Sequence, residues 1–488
     1  MSKAMRSQIL FWTLLILLVV LFILWQWGPV HSFAWKYDEG INVSKAQLLL
    51  DRHHLYEDIW SDQPPLFTFM LATTFLLFGE SVAVGRLMVL ALAGLALLSL
   101  AWIAEQVAGK VAALLAAVAL ALFPHFQELS QLIMIGLPAI SLGLLALAFG
   151  FRYRAKGRMR WLLFAGLSFG LSLLVKPITA PMFLPLSMLS FGIWEERLPL
   201  HKRIPPWTFF AAATLLPVMV ALICCSPRAF VQQVAGTLFG ARRAHNLSLI
   251  ENVRQIGIYL SRDKWELSHA GLSILALLGM TSLVLHRRWH PLAILGTWLG
   301  GVLGALVLHT PLRRHQLFLV VPPLLTTASL SIQQLVEGIP DIADMPLKEQ
   351  LLMAIIAATL LPIGRNLPQT VTADIAIRET LLAEDDESRA GREAIRFLLA
   401  HTPTQGHVIT DDPMIAFKAN RPIPPSLAVP SARRIETQEL SSKEMIRLTK
   451  DVDPSAILFW EQRLTRLEEY ATWVRENFYT AHAYADDR

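Results

Sequence analysis

Two clusters of acidic residues lie around the loop that follows the first membrane-length apolar run of the chain. Asp38-Glu39-Gly40 comes shortly after that run, and Asp62 comes about two dozen residues later. A carboxylate at a membrane surface can act as a general base when a hydroxyl or amine lies within hydrogen-bond reach. We therefore take Asp38 as the candidate base. The competing explanation is that both clusters are solvated loop acids.

A second set of candidate residues consists of basic groups at helix ends and in a long polar loop. Lys176 ends one apolar run, Arg313 and Arg314 precede another, and Arg242 and Arg243 lie in the loop. Arginine binds phosphate in a bidentate manner, and lysine adds a point charge. These residues therefore suit a phosphate group at the membrane surface, although basic side chains at helix ends also snorkel without binding a ligand.

The composition of the chain is that of a membrane protein. Of its 488 residues, 54% are hydrophobic and only 17% are charged, which is too apolar for a soluble protein of this length. Runs near the length needed to cross about 30 Å of hydrocarbon recur along it. We predict about eleven spans, at 8–27, 82–104, 108–123, 131–150, 161–175, 178–194, 207–225, 268–285, 291–308, 315–333 and 348–364.

The distribution of basic residues sets the predicted topology. Basic clusters flank several of these runs, at Lys3, Arg6, 152–160, 201–203, Arg287 and Arg288. The positive-inside rule places all of them in the cytoplasm only if the apolar run 64–79 does not cross the membrane. We therefore predict that 64–79 is a juxtamembrane helix. The N-terminus is then cytoplasmic, and the acidic loop 28–81 lies on the outer face.

The chain changes character near residue 365. Residues 366–488 are polar and mixed in charge, and the short apolar runs 408–410 and 456–460 are typical of buried strands. The stretch 462–478 has the spacing of an amphipathic helix. We therefore predict an all-α polytopic membrane domain over 1–365, followed by a small extracytoplasmic α/β domain.

Asp411 and Asp412 follow the first predicted strand of this tail. Acids in that position are commonly turn formers, because their side chains accept hydrogen bonds from nearby backbone N–H groups. The alternative is that they bind an acceptor or a metal ion. The C-terminal domain would accordingly cap the site, bind the acceptor or simply stabilise the fold.

Several short motifs together resemble the GT-C membrane glycosyltransferases. They are Tyr37-Asp38-Glu39-Gly40, Asp62-Gln63-Pro64-Pro65-Leu66, Arg86 at the start of a long helix, Val175-Lys176-Pro177, and Pro311-x-x-Arg314-His315. The groups that the chain resembles are the dolichyl-phosphate-mannose–protein mannosyltransferases and the bacterial 4-amino-4-deoxy-L-arabinose lipid A transferases. The resemblance covers about residues 8–335. It implies an all-helical membrane fold and an enzyme that takes its sugar from a polyprenyl phosphate.

The resemblance also implies a role for each matching residue. Asp38 would activate the acceptor in the first outer loop, and Glu39 would support it as a second catalytic residue. Lys176, Arg313 and Arg314 would hold the donor phosphate while negative charge develops on the leaving group.

Asp62, Gln63 and His315 would support the site on the acceptor side. Gln63 replaces a lysine that relatives carry, so the phosphate contact of that lysine must come from elsewhere or be missing. Many relatives place an Asp at the position of Gly136, and Glu128 is the nearest acid that could substitute for it. In some relatives such an acid pair binds a metal. No other spacing of His, Asp or Glu indicates one, so we predict no metal ligands and no cofactor.

These observations predict an inverting glycosyltransferase of the cell (plasma or inner) membrane. It would move a sugar from a polyprenyl-phosphate donor to a protein, lipid or glycan acceptor on the outer face. Its expected partners are the lipid-linked sugar, membrane lipids and the acceptor, without nucleic acid.

Two other functions stay open: a lipid or polyisoprenoid-glycan transporter or flippase, and a GT-C-like scaffold that binds without catalysis. A transporter is expected to carry ionisable residues near the middle of the membrane. In this sequence the polar residues concentrate at one face instead. Gln63 and Gly136 differ from the residues that relatives carry at these positions, and these two differences favour the binding scaffold.

Overall fold

The computed structural model of the chain describes residues 2–192, 199–244, 248–262, 268–338, 345–382 and 386–481. Most of the described chain is helical. Its α-helices, in chain order, are α1 (Lys3–Trp25), α2 (Trp27–Val30), α3 (Tyr37–Leu50), α4 (Leu66–Phe78), α5 (Val82–Ala121), α6 (Pro124–Ser130), α7 (Gly136–Lys156), α8 (Met159–Val175), α9 (Phe183–Phe191), α10 (Leu200–Cys224), α11 (Pro227–Ala244), α12 (Leu249–Arg262), α13 (Ser268–Leu285), α14 (Trp289–Val307), α15 (Arg314–Leu317), α16 (Val321–Gly338), α17 (Leu347–Leu382), α18 (Asp386–His401), α19 (Pro413–Lys418), α20 (Ala432–Glu436), α21 (Ser442–Val452) and α22 (Glu468–Asn477).

Six helical segments within the described ranges are long and apolar enough to cross a membrane. They are Ala4–Trp25, Val82–Ala121, Gly136–Lys156, Leu200–Cys224, Trp289–Val307 and Arg314–Gly338. Shorter apolar helices occur at Leu66–Phe78, Met159–Val175, Pro177–Phe191 and His269–Leu285. The chain is therefore a multi-pass membrane protein by length and composition, as predicted, while the number of about eleven spans stays a prediction.

Helix α5 contains two of the predicted spans, because its 40 residues are divided by a break at Gly109. The backbone there has φ +82°, a conformation that favours glycine. A Cβ at this position would also meet the Gln333 side chain of α16 at 3.2 Å. The predicted spans 82–104 and 108–123 are the two arms on either side of this break.

Two of the predicted cytoplasmic basic segments lie at one end of the bundle. The Lys110 ammonium, beside the break in α5, donates to Ser7 Oγ at 3.1 Å. At the same end the Trp102 ring contacts Trp12 and Trp161, with ring centroids 6.3 and 6.2 Å apart. The N-terminal basic residues and the 152–160 segment therefore share one end of the molecule, as the predicted topology requires. Which side of the membrane this end faces stays a prediction.

Helix α4 is the apolar run predicted to lie beside the membrane. It has 13 residues, which span about 20 Å and so fall short of a 30 Å hydrocarbon core. Its C-terminal residues Leu76, Leu77 and Phe78 are 72%, 68% and 72% exposed. The short length and the exposed apolar end are consistent with a juxtamembrane helix.

The tail contains two short strands, β1 (Val408–Thr410) and β2 (Ala456–Leu458), which pair in parallel with Ile409 opposite Ile457. The predicted amphipathic stretch forms a 3-10 helix at Leu464–Arg466 and then α22, and it buries Leu464 and Tyr470 completely. The boundary predicted at residue 365 falls inside α17, which continues to Leu382. The polar stretch past residue 365 therefore begins inside α17, and no helix ends at that point.

Close helix packing around α8 depends on two glycines. A Cβ at Gly166 would lie 2.6 Å from the Ala213 Cβ, and a Cβ at Gly170 would lie 2.3 Å from the Thr214 carbonyl oxygen of α10. Small residues of this kind allow helix backbones to approach closely in membranes.

We predict that Gly170→Ala destabilises the protein by about 1–3 kcal/mol, because the added methyl overpacks the α8–α10 contact. The measurement is the thermal unfolding midpoint of the purified protein in detergent. Gly304→Ala is the matched control, since a Cβ at Gly304 of α14 would meet nothing within 4 Å. Equal midpoints for the two variants would contradict the packing described for α8.

Candidate active site

A cavity of about 1120 Å³ lies where the apolar helices meet the loop before α4 and the C-terminal tail of the chain. Its walls come from the start of α3, the loop before α4, the start of α7, the 3-10 helix Pro177–Met182, the end of α14 with its following turn, and the segments around α20 and Leu464–Arg466. Part of the lining is apolar, including Met134, Ile135, Ile178, Leu306 and Leu319. The cavity can therefore take both polar groups and hydrocarbon.

One face of α3 delivers polar groups to this cavity. Asp38, Asn42 and Lys45 all line it, because residues four and seven positions after the first share a face of an α-helix. Asp38 is exposed toward the cavity, whereas Lys45 is only 1% exposed. Asn42 donates to the carbonyl oxygen of Ile133 at 2.8 Å, which fixes α3 against the α6–α7 connection.

Lys45 is a cavity residue that the sequence analysis did not single out. Its ammonium lies 3.5 Å from Ser61 Oγ, and no carboxylate lies within ion-pair distance among the residues described. Burial lowers the pKa of Lys45, and the nearby carboxylates of Asp62 and Asp38 oppose that shift. The spacing of seven residues from Asp38 was the signal in the sequence that could have found it.

Asp62 and Gln63 also line the cavity, and their assignment to the acceptor side stays a prediction. Their loop is held in place by backbone contacts. Ser61 N–H donates to Gln233 Oε1 at 2.9 Å, and Tyr56 Oη donates to the Gln63 carbonyl oxygen at 2.7 Å. The Ser61 hydroxyl also donates to the Gln63 carbonyl oxygen, so it connects the Gln63 backbone to the Lys45 ammonium.

Lys176 lies on the cavity at the point where α8 ends and the 3-10 helix begins. The backbone is extended there because Pro177 follows, and proline disfavours a helical conformation in the residue before it. Burial lowers the pKa of Lys176. The carboxylates of Asp38 and Asp62 raise that pKa, and Arg313 lowers it. These four groups therefore lie close enough to interact across the cavity.

The basic residues around α15 divide between two environments. Arg313 and His315 line the cavity. Arg314 does not, and its guanidinium binds the Glu128 carboxylate at 2.7 Å in a half-exposed ion pair. The prediction that Arg314 holds the donor phosphate is therefore corrected, because its charge is balanced by Glu128 away from the cavity. The same contact corrects the prediction that Glu128 substitutes for a missing cavity acid.

Two other predicted phosphate-binding residues cannot be placed at the site. Arg242 and Arg243 are in the last turn of α11, and their side chains lie outside the described residues. Gly136, the position where relatives carry an Asp, does line the cavity, and a Cβ there would meet nothing within 4 Å. Within the described ranges no group of three or more His, Cys, Asp or Glu side chains is placed to hold a metal ion.

Glu39 is buried and does not line the cavity. Its Oε1 accepts from Arg86 Nε at 2.9 Å and from the Ile133 N–H at 3.0 Å. Its Oε2 accepts from Arg86 Nη2 at 2.9 Å and from the Lys36 N–H at 3.0 Å. With both oxygens occupied, the predicted catalytic role of Glu39 is corrected to one of positioning.

The tail of the chain forms one wall of the cavity through Arg433 and Glu436 of α20 and through Arg463 and Arg466. None of these was singled out from the sequence, because their distance along the chain from Asp38 hides their proximity. Asp411 holds the segment that carries Arg463. Its two carboxylate oxygens accept four backbone N–H bonds of 2.7 to 3.1 Å from residues 460–464.

The tail is docked directly on the Asp-Glu-Gly segment. A Cβ at Gly40 would lie 2.6 Å from the Met414 nitrogen at the start of α19, so only glycine permits this contact. Asp412 accepts from Trp35 Nε1 at 2.9 Å, and it also caps α19 by accepting from the Met414 N–H at 3.0 Å. Asp411 and Asp412 therefore follow the turn-former interpretation of the sequence.

The arrangement of helices is shared with solved membrane glycosyltransferases. The crystal structure of ArnT from Cupriavidus metallidurans bound to undecaprenyl phosphate superposes with a TM-score of 0.59 at 13% identity, over 84% of this chain and 85% of that chain. The Archaeoglobus fulgidus oligosaccharyltransferase tethered with an acceptor peptide superposes with a TM-score of 0.54 at 13% identity, over 87% of this chain and 64% of that chain. The chain therefore has the GT-C fold.

The sequence also matches the dolichyl-phosphate-mannose-protein mannosyltransferase family over residues 62–230. No curated protein matches the chain. The family match and the two solved structures together confirm the predicted resemblance to the GT-C glycosyltransferases of the protein mannosyltransferase and ArnT group.

We predict that Glu39→Gln destabilises the protein by about 3–5 kcal/mol, because it leaves the buried Arg86 guanidinium without its counter-charge. The measurement is the thermal unfolding midpoint, together with the yield of folded protein. Glu128→Gln serves as the control for stability, since its half-exposed pair with Arg314 is worth only about 0–1 kcal/mol. Similar midpoints for the two variants would mean that the Glu39–Arg86 pair does not stabilise the outer loop.

Proposed function

We propose that the protein is an inverting glycosyltransferase that moves a sugar from a polyprenyl phosphate to an acceptor at the outer membrane face. One observation carries this proposal. A carboxylate (Asp38) and two cationic side chains (Lys176 and Arg313) line a single cavity that also has apolar walls. Transfer from a lipid phosphate needs these three properties together: a base, phosphate neutralisation and a place for hydrocarbon.

The proposed reaction uses Asp38 as the general base. Its carboxylate takes the proton of the acceptor hydroxyl or amine, and the acceptor atom forms a bond to the anomeric carbon of the sugar. The bond from that carbon to the phosphate oxygen breaks, and its electron pair remains on the polyprenyl phosphate. Attack from the face opposite the leaving group inverts the anomeric configuration.

Lys176 and Arg313 neutralise the phosphate as its charge increases during bond cleavage. A hydrogen bond to a developing negative charge contributes more free energy in a partly desolvated site than in water. Lys176 and Arg313 would therefore lower the barrier to transfer in addition to holding the substrate. Burial lowers the pKa of Lys45 and of Lys176, and the nearby Asp62 carboxylate opposes that shift in both amines. The apolar lining residues are suited to the first isoprene units of the carrier.

Lys45 is the third cation that we assign to the donor phosphate. It is buried, it lines the cavity, and within the described ranges its ammonium donates to the Ser61 hydroxyl and to no carboxylate. A buried ammonium of this kind is costly unless an anion compensates it. Binding of the donor phosphate would supply that anion.

A binding scaffold without catalysis is the second candidate, and one observation favours it. Gly136 leaves open the cavity position where relatives carry an acid. A scaffold would bind the lipid-linked sugar without turning it over, whereas the proposed enzyme needs no second acid if Asp38 acts alone. The experiments below separate these two functions because they measure binding and transfer independently.

We predict that Asp38→Asn lowers the rate of sugar transfer by about 100-fold or more, because it removes the general base. Membranes carrying the variant are incubated with a panel of radiolabelled polyprenyl-phosphate sugars, and both transfer and donor binding are measured. Donor binding should persist. Asp51→Asn is the matched control, since Asp51 is an exposed acid at the end of the same helix and does not line the cavity. Unchanged transfer by Asp38→Asn would exclude Asp38 as the base.

We predict that Lys45→Gln lowers kcat/KM for the donor by about 10- to 100-fold, in keeping with the loss of one charged hydrogen bond worth about 1.5–3 kcal/mol. Gln63→Lys in the same background should restore part of this loss, because Gln63 lines the same cavity and is connected to Lys45 through Ser61. Lys36→Gln is the control, since Lys36 is exposed and does not line the cavity. Loss of activity with no change in donor affinity and no rescue would assign Lys45 a structural role.

A further inference from the structure

The cavity carries more positive charge than a lipid-linked sugar can balance. Among the described residues that line the cavity, six are Lys or Arg and three are Asp or Glu. A phosphodiester donor contributes a single negative charge. Arg463 also lies 3.6 Å from the carboxylate of Glu461, which does not line the cavity. With Glu461 and the donor counted, five negative charges still face six positive ones. An uncompensated charge in a partly desolvated site is costly, so the remaining excess favours a second anionic group in the same cavity.

The excess comes from the tail of the chain, which supplies Arg433, Arg463 and Arg466 to the cavity (the outer arginines). The Arg463 guanidinium lies 3.2 Å from the centroid of the Tyr37 ring, and Tyr37 directly precedes the proposed base. Tyr37 Oη in turn donates to the Pro430 carbonyl oxygen at 3.0 Å. Arg463 therefore packs directly against the segment that would present Asp38 to an acceptor.

Arg433 is the member of this group whose geometry most directly indicates a ligand. Its Nη2 atom is buried and has no hydrogen-bond partner among the described residues. The neighbouring Arg434 also has one buried donor without a partner, its Nε, but it does not line the cavity, and its Nη1 donates to the carbonyl oxygens of Ser426 and Val429 at 2.7 and 3.1 Å. Arg434 thus anchors α20, while Arg433 lines the cavity with an unused donor.

Arg466 lies 3.6 Å from the Glu436 carboxylate, and both side chains are about half exposed. Such a pair is weak because water screens it. Arg466 can therefore turn to an incoming anion at little cost, and its planar guanidinium suits a bidentate contact with phosphate or carboxylate.

We propose that Arg433, Arg463 and Arg466 form a subsite for an anionic group, a phosphate or a carboxylate, on the acceptor. The assignment to the acceptor rests on the proposed function, since these residues lie beside the proposed base, and the donor cations Lys176 and Arg313 come from the membrane helices. The tail would then select acceptors by charge. A neutral hydroxyl compound would reach Asp38 without engaging the arginines.

The test measures binding to the full-length protein in nanodiscs of phosphatidylcholine, with the donor site saturated by farnesyl phosphate. Octyl phosphate and octanoate are the anionic probes, octanol is the uncharged match, and inorganic phosphate shows whether the anion must be attached to a lipid. The variant is Arg433→Gln/Arg466→Gln. Arg447→Gln is the control, since Arg447 is an exposed arginine of α21 that does not line the cavity.

We expect the double variant to bind at least one anionic probe about 10-fold or more weakly than wild type, with octanol unaffected and the control unchanged. Inorganic phosphate binding as tightly as octyl phosphate would support the subsite with a soluble anion as its ligand. Equal binding of both anionic probes by wild type and the double variant would overturn the proposal, as would octanol binding as tightly as they do.

Farnesyl phosphate binding is measured separately and keeps the two proposals distinct. The double variant should retain it, whereas Lys176→Gln should weaken it. Failure of wild type to bind farnesyl phosphate, or binding that Lys176→Gln leaves unchanged, would overturn the donor site and with it the assignment of the subsite to an acceptor. Loss of farnesyl phosphate binding in the double variant would place the outer arginines in the donor site and overturn the acceptor subsite.

Discussion

The buried ion pair between Glu39 and Arg86 is the interaction on which the geometry of the cavity depends. Arg86 lies near the start of α5, and its remaining N–H groups donate to the carbonyl oxygens of Ser32 and Ala34 at 2.9 and 2.6 Å. Glu39 in turn accepts from the Ile133 N–H at 3.0 Å. One carboxylate and one guanidinium thus join the approach to α3, the long helix α5 and the connection between α6 and α7. Because every charge and N–H in the pair is satisfied, its burial is tolerated.

The ion pair explains how three consecutive residues of α3 can face three different parts of the structure. Successive positions of an α-helix point about 100° apart, so Asp38 faces the cavity while Glu39 faces Arg86 and Gly40 faces the tail. Fixing Glu39 fixes the rotation of α3 about its axis, and the orientations of Asp38 and Lys45 follow. Gly40 then admits Met414 of α19, which a larger residue would exclude. The motif therefore combines the proposed base, an anchor and a docking point.

The sequence predicted the helical membrane fold and several of the residues that line the cavity, because those features depend on local patterns. Apolar run lengths indicated the helices, and helix-end positions indicated Lys176 and Arg313. Glu39 could not be separated from Asp38 in this way, since both are acids in one turn and only the partner Arg86 distinguishes them. Arg314 was misassigned for a similar reason: Glu128, its partner, is far away in the sequence. Arg433 and Arg463 reach the cavity only through tertiary docking, which no local pattern encodes.

The tail is a wall of the cavity, and the two acids after β1 explain why. Asp411 binds four backbone N–H groups of residues 460–464, and Asp412 binds Trp35 in the segment before α3. A carboxylate with several N–H donors holds a loop in one conformation at modest cost, because charge-assisted hydrogen bonds replace its hydration. Both acids sit at the carboxyl end of one short strand. The contact that joins the tail to the Asp-Glu-Gly segment therefore also sets the position of the outer arginines. The proposed base and these arginines are held as one unit.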